Sequence, residues 1–335
     1  MAHRTLANLA AISLLALGSG GPALAQLAPG DSVRRLVNAG LPDEAFAYAR
    51  TAARAAPDDP GALAALAVGA MAVEDYDAAV EAADAAVALR PEISACQLVL
   101  GQSYLSHARA NFGIGAIGKV KKGWAAVERA IERNPDNLEA RHTLMQFLLQ
   151  APGIAGGSRE GARRQADEIE RRDRRRGLLA RVEVAVAGGD VAELARVLDD
   201  SAPLAGTSAD SGATLLGALL AAAGALEDED GRERLTQRIY AAHADHPVAL
   251  YHRARLWVTE GERLEEAERL LLRYLDAPEW RAGAATRAGA HWRLAQLYER
   301  QDQKAYAKEQ YRLAASLDPR LKRGRRTSER LEREL

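Results

Sequence analysis

A step from alanine to a proline five residues later recurs along this chain, and no other feature constrains the fold as much. It occurs at Ala52–Pro57, Ala86–Pro91, Ala130–Pro135, Ala242–Pro247 and Ala314–Pro319. Alanine is abundant, 72 of 335 residues, so one match would carry little, but five at one offset describe a repeat. Seven residues before each of these alanines sits Ala45, Ala79, Gly123, Leu235 or Ala307, and four of the five are small. Pro57 and Pro91 are 34 residues apart. Alanine has the highest helix propensity, proline cannot continue a helix interior, and aromatic residues make up only 5% of the chain. The pattern predicts helices that stop at regular intervals and cross closely at small residues. It argues against a β-rich fold.

The residues ahead of each step are patterned too. Gln97-x2-Leu100-Gly101-x2-Tyr104 is one instance; Leu63-x2-Leu66-Ala67 opens another. His291-x2-Leu294-Ala295-x2-Tyr298, then Ala307-x3-Tyr311 and Pro319, is the fullest copy. This pattern resembles the tetratricopeptide repeat family, whose anchors run W-x2-L-G-x2-Y, A-x3-F and P. The resemblance covers most of residues 31–321. It implies an all-α, right-handed superhelical solenoid of antiparallel helix pairs, in which no unit buries its apolar face alone.

Clear units are expected near 33–57, 60–91, 94–135, 138–176 and 288–321, within a repeat domain over 26–321. Residues 177–287 are degenerate, with helices predicted over 178–187, 191–199 and 213–226. A further pair is predicted over 248–278, with Gly261 at its turn. Residues 322–335, rich in Arg and Glu, suit a polar capping helix. Pro91 and Pro135 are 44 residues apart, ten more than one period. The excess is expected in a turn between Asn111 and Gly123. Glycine-rich turns at 113–118 and 152–157 are similar to those of a group of proteobacterial periplasmic tetratricopeptide proteins.

Residues 1–25 read as an export signal. His3 and Arg4 precede an apolar run from Leu6 to Leu17, and Ala23-Leu24-Ala25 fits small-residue cleavage after Ala25. The expected mature product is periplasmic or secreted. No later segment approaches the ~20 apolar residues a membrane-spanning helix needs. A net charge of −1 offers no bulk attraction for nucleic acid. Cys96, the only cysteine, has two readings: a reactive thiol, or a small buried hydrophobe on a helix.

Gly113-x-Gly115-x-x-Gly118-Lys119 matches a dinucleotide-binding spacing but lacks the preceding strand such a site requires. His243, His246 and His252 have no carboxylate or thiol to complete a metal set. No catalytic constellation, cofactor or metal is expected. Ser158 is placed to cap a helix from Arg159. With Gly156, Gly157 and Arg159 it could hold an anion, or it could simply be a capped, packed turn.

In tetratricopeptide proteins the first helix of each pair lines a concave surface that receives peptides. Carried over by position, the resemblance puts Gln102, Ser106, His142, Gln146, Gln150, Trp292, Gln296 and Arg300 on that surface. The expected function is a non-enzymatic protein–protein interaction scaffold of the bacterial cell envelope, holding a peptide or protein. The alternative is a binding module for a small anionic or cell-wall ligand at the turns 113–118 and 152–158.

Overall fold

The computed structural model describes residues 28–111, 115–153, 156–201, 209–277, 286–318 and 327. The export signal, Gly113, Pro319 and, apart from Thr327, the expected capping helix over 322–335 lie outside the described residues. Among those residues all regular structure is helical, in sixteen helices with no strand. The chain divides into two compact units, and the boundary between Ala180 and Arg181 falls inside one helix.

The first unit holds α1 (Ala28–Asn38), α2 (Pro42–Ala55), α3 (Pro60–Ala72), α4 (Tyr76–Leu89), α5 (Ser94–Ala110), α6 (Ala116–Arg133), α7 (Leu138–Gln150) and α8 (Arg159–Arg172). α9 (Arg174–Gly188) spans the boundary. The second unit continues with α10 (Val191–Ser201), α11 (Ala209–Gly224), α12 (Glu229–Ala242), α13 (Pro247–Glu260), α14 (Leu264–Asp276), α15 (Arg287–Arg300) and α16 (Lys304–Leu317). The expected all-α architecture of packed helix pairs is present in each unit.

The alanine-to-proline step has a structural cause. The carbonyls of Ala52, Ala86 and Ala130 accept the last helical bonds of α2, α4 and α6, from the amides of Ala56, Arg90 and Asn134. A short turn follows in which Asp59, Ile93 and Asn137 donate back to residues 56, 90 and 134, three positions earlier. Pro57, Pro91 and Pro135 sit in those turns, where no helical amide is required. The fourth step is used differently: α12 ends with the His243 amide bonded to Ile239, and Pro247 opens α13 at its first turn.

Starts are capped as the sequence allows. The side chains of Asp59, Asp75, Asn137, Ser158, Asp228 and Thr286 each accept a bond from an amide in the following first turn.

Small residues set how closely helices meet. A β-carbon on Gly101 of α5 would lie 2.6 Å from Val127 Cγ2 and 2.9 Å from the Gly123 carbonyl oxygen of α6. A β-carbon on Gly69 of α3 would lie 3.0 Å from the Phe46 Cα of α2. Ala45, Ala79, Ala86, Ala130, Ala307 and Ala314 are wholly buried. The apolar clusters run from pair to pair: Val33, Ala45, Ala49 and Ala65 join α1, α2 and α3. Ala83, Ala86, Cys96 and Val99 join α4 to α5. In the second unit Ala254, Leu271, Leu294, Leu297 and Tyr311 form one cluster through α13 to α16.

Buried polar groups at the first anchor position reach back to the preceding turn. Gln97 donates to the Pro91 carbonyl at 3.0 Å, and Arg141 to the Pro135 carbonyl at 2.8 Å. The tyrosine anchors also bridge pairs, with Tyr104 donating to Asp84 at 3.0 Å and Tyr298 to Glu268 at 2.5 Å.

Two expectations on extent are corrected. The ten-residue excess is not confined to a turn: α5 and α6 are each four residues longer than α3 and α4, and only two extra residues enter the connection. Gly118 and Lys119 therefore lie inside α6. In the degenerate stretch, the helices predicted over 178–187, 191–199 and 213–226 are 174–188, 191–201 and 209–224.

Gly101→Ala should lower stability by about 1–3 kcal/mol, the usual cost of overpacking, with helical circular dichroism retained. Gly118→Ala, where a β-carbon meets nothing within 4 Å, should be neutral or stabilising by up to ~1 kcal/mol through helix propensity. Urea melts of both variants check the contrast.

Candidate functional site

Five of the eight surface residues expected from the sequence lie in the first unit. Gln102 and Ser106 are one turn apart on α5; His142, Gln146 and Gln150 follow each other by turns on α7, so each set shares a helix face. The Gln102 amide donates to Thr143 Oγ1 of α7 at 3.3 Å, which makes the two stripes neighbours. Gln150 is exposed and the other four are half-buried.

Arg34 of α1 pairs with Glu139 of α7 at 3.4 Å, across 105 residues of chain. Packed helices sit ~8–10 Å apart, so in a straight stack three such steps would separate α1 from α7 by more than two side chains can span. The first unit therefore curves toward its first helices.

The remaining three are in the second unit, and their side chains are occupied. Trp292 is half-buried, edge-on to Tyr311 with ring centres 5.0 Å apart, and packs on the α13–α16 cluster. Gln296 accepts from Arg293 at 2.7 Å. Arg300 donates to the Thr259 carbonyl near the end of α13 at 2.8 Å, lying over Gly261. Trp292 and Arg300 thus hold helices together within this unit.

The glycine-rich turn after α7 closes on itself. The amides of Gly156, Gly157 and Ser158 donate to Gly153, Pro152 and Leu148 carbonyls at 3.0, 3.0 and 2.9 Å. Ser158 Oγ accepts from Gly161 at 3.0 Å, as a helix cap. Gly156 has φ +95°, and a β-carbon there would lie 2.5 Å from Trp124 Cζ3. Trp124 in turn meets Phe147 edge-on at 4.6 Å. Three amides that the anion reading needs are already bonded, so this turn is a packed lid over Trp124. At 113–118 the described part is a helix start at Ala116.

No chemistry gathers around Cys96. The thiol is fully buried beside the Pro60 carbonyl, and burial pushes it up to about 11. His107, eleven residues along the same helix and thus ~16 Å away, bonds Asp77 at 2.8 Å. His246 Nδ1 caps α13 by accepting from Val248 at 3.2 Å. Burial pushes His252 down to about 4, with Arg255 adding to the shift. His243 and His246 are lowered by burial as well. No group of three metal-ligating side chains occurs among the described residues.

One feature escaped the sequence reading. A pocket of about 430 Å³ opens along α13 and α14, with Trp257 and Leu270 in it and Arg253, Arg263, Arg269, Arg273 and Glu266 around it. The guanidinium carbon of Arg253 lies over the Trp257 ring, 4.6 Å from its centre, and that of Arg263 lies 5.4 Å from the same centre. The available signal was Arg253 and Trp257 one turn apart, just before the turn at Gly261.

No family model matches the chain, and no curated protein matches it. Similar solved structures include a thermophilic tetratricopeptide-repeat protein of Thermus thermophilus, 20% identical, covering 57% of this chain and 97% of its own, with a TM-score of 0.47. Another is the C-terminal part of a repeat protein of the same type from Cytophaga hutchinsonii, 11% identical, covering 89% and 98%, with a TM-score of 0.43. A tetratricopeptide-repeat protein of Parabacteroides merdae is 13% identical, covering 93% and 100%, with a TM-score of 0.37. At these values nothing about function is carried over.

Cys96 should resist a thiol reagent at pH 8 in the folded chain and react fully in denaturant; rapid native labelling would contradict the burial. For His252, the unfolded chain takes up a proton below the ordinary histidine value while the folded chain refuses it down to about 4. Stability is therefore full above pH ~6.5 and falls with pH below it. Urea melts should show His252→Gln losing about 2 kcal/mol less than the parent between pH 7.5 and 5.

Proposed function

We propose that this protein is a non-enzymatic scaffold of the tetratricopeptide type that holds a peptide or protein partner along the first helices of its pairs. The Arg34–Glu139 pair carries the reading. It draws α1 and α7 together, and a stack that curves toward its first helices lines a concave surface with them, the form of site that repeat proteins offer to extended partners. Gln102 and Gln150 on that side supply both donors and acceptors, suited to a partner's backbone. The Cys96 thiol, kept protonated by burial, and the committed amides of the 152–158 turn leave the described chemistry to packing and capping. The proposal includes export: Ala23-Leu24-Ala25 would be the cleavage site, and the mature chain would work in the periplasm or outside the cell. None of the described helices is long and apolar enough to cross a membrane.

Two measurements test the reading in a bacterial host. A photo-crosslinking residue at Ser106 or Gln150 should give a discrete protein adduct, while the same residue at exposed Glu81 of α4 should not. Indistinguishable adduct patterns would remove the first-helix surface as the site. N-terminal sequencing of the extracted protein should begin at Gln26; an intact Met1 would remove the envelope assignment.

A further inference from the structure

The pocket on α13 and α14 joins an aromatic side chain to an excess of positive charge. Four arginines and one carboxylate, Glu266, surround Trp257 and Leu270. Arg273 pairs with Asp245 at 3.0 Å, and Arg269 approaches Glu266 only to 3.9 Å. Arg253 and Arg263 have no carboxylate within ion-pair distance among the described residues; both place their guanidinium carbon over the Trp257 ring, and that of Arg253 also lies 5.5 Å from the centre of the Tyr240 ring. Attraction to a ring uses none of a guanidinium's N–H donors on a carboxylate, so they remain to bind one in bidentate fashion.

Arg263 closes the turn between α13 and α14 with φ +46°, the left-handed conformation that Glu74 and Asp302 also adopt in the turns before α4 and α16. That turn brings its guanidinium over Trp257.

We propose that this pocket binds an acidic peptide segment. Its carboxylates pair with Arg253 and Arg263, and a neighbouring apolar side chain rests on Trp257 and Leu270. The apolar lining selects a peptide over a bare anion, which would meet the guanidiniums and leave Trp257 and Leu270 uncovered. This rests on the protein-holding function proposed above and gives it a second contact, with a stated chemistry, distinct from the polar stripe on α5 and α7.

The test is fluorescence anisotropy with the full mature chain and a short fluorescein-labelled peptide alternating Glu with Leu. The expected result is saturable binding that weakens about tenfold in the Arg253→Gln/Arg263→Gln double variant and about tenfold when Gln replaces Glu in the peptide, each tenfold corresponding to ~1.4 kcal/mol. A thermal melt checks that the variant is folded. Should the double variant unfold, Arg263→Gln alone, at an exposed position, should still weaken binding about threefold.

Equal binding of the Gln peptide, or unchanged binding by a folded variant, overturns the proposal. So does displacement of the peptide by millimolar inorganic phosphate, which would mark a small-anion site, or preference for phosphatidylglycerol vesicles. Crosslinks from α5 and α7 that persist while the peptide fails would sink this inference alone. Peptide binding without those crosslinks would sink the first-helix surface alone.

Discussion

The backbones of α5 and α6 approach so closely at Gly101 and Gly123 that neither position has room for a side-chain carbon. Everything larger is placed by that constraint. If small residues occupy the crossing within a pair, the bulky apolar side chains must go between pairs, where Leu98, Leu294 and Leu297 are found wholly or almost wholly buried. A pair alone would then leave those side chains in water, and burying each is worth roughly 1.5–3 kcal/mol. Close packing within pairs therefore makes stacking between pairs obligatory. The tyrosine anchors fit the same scheme: Tyr104, half-buried, and Tyr298, buried, sit at the junction and bond a carboxylate of the preceding pair.

The helices and their ends were legible in the sequence because they obey local rules. Alanine runs, proline stops and Asp, Asn or Ser caps act within a few residues: proline turns follow α2, α4 and α6, and Asp59, Asp75, Asn137 and Ser158 cap α3, α4, α7 and α8. Helix length after Pro91 was less legible. A glycine in a turn and a glycine three residues into a helix look alike in sequence, and Gly118 belongs to the second kind because α6 extends toward its N-terminus beside an equally lengthened α5. The W-position residues Gln97 and Arg141 were another gap. They look like losses of an anchor, but each hydrogen-bonds the carbonyl of the preceding inter-pair turn, so they tie units together by polar means.

The candidate site divides along similar lines. The stripe on α5 and α7 could be read by counting turns, since residues four apart share a face whatever the helix packs against. What each side chain does there depends on neighbours from distant sequence. Trp292 was placed on an open surface by register, but Tyr311 from α16 draws it into the cluster. Arg300 is long enough to reach the end of α13. The 152–158 turn had the composition of an anion cradle, yet a carbonyl at Leu148 and two within the loop take its amides, and Trp124 from α6 occupies the remaining side.

Arginine explains why charge composition says so little about this chain. Its 45 basic and 46 acidic residues nearly cancel, and much of the cancellation is local, as in Arg172 with Glu168 and Asp136 or Arg181 with Glu193 and Asp200. A guanidinium that finds a carboxylate in its own fold is spent as a connector. One drawn to an aromatic ring instead keeps its donors, because that attraction uses none of them on a carboxylate. Arg253 and Arg263 meet that condition on one shared ring. Net charge cannot reveal such a pair, since Arg253 lies on α13 and Arg263 in the turn after it, and they share a ring only when the hairpin closes at Gly261. A nearly neutral chain can still offer an acidic partner concentrated positive charge at a site of this kind, where an aromatic ring has kept cations from pairing within the fold.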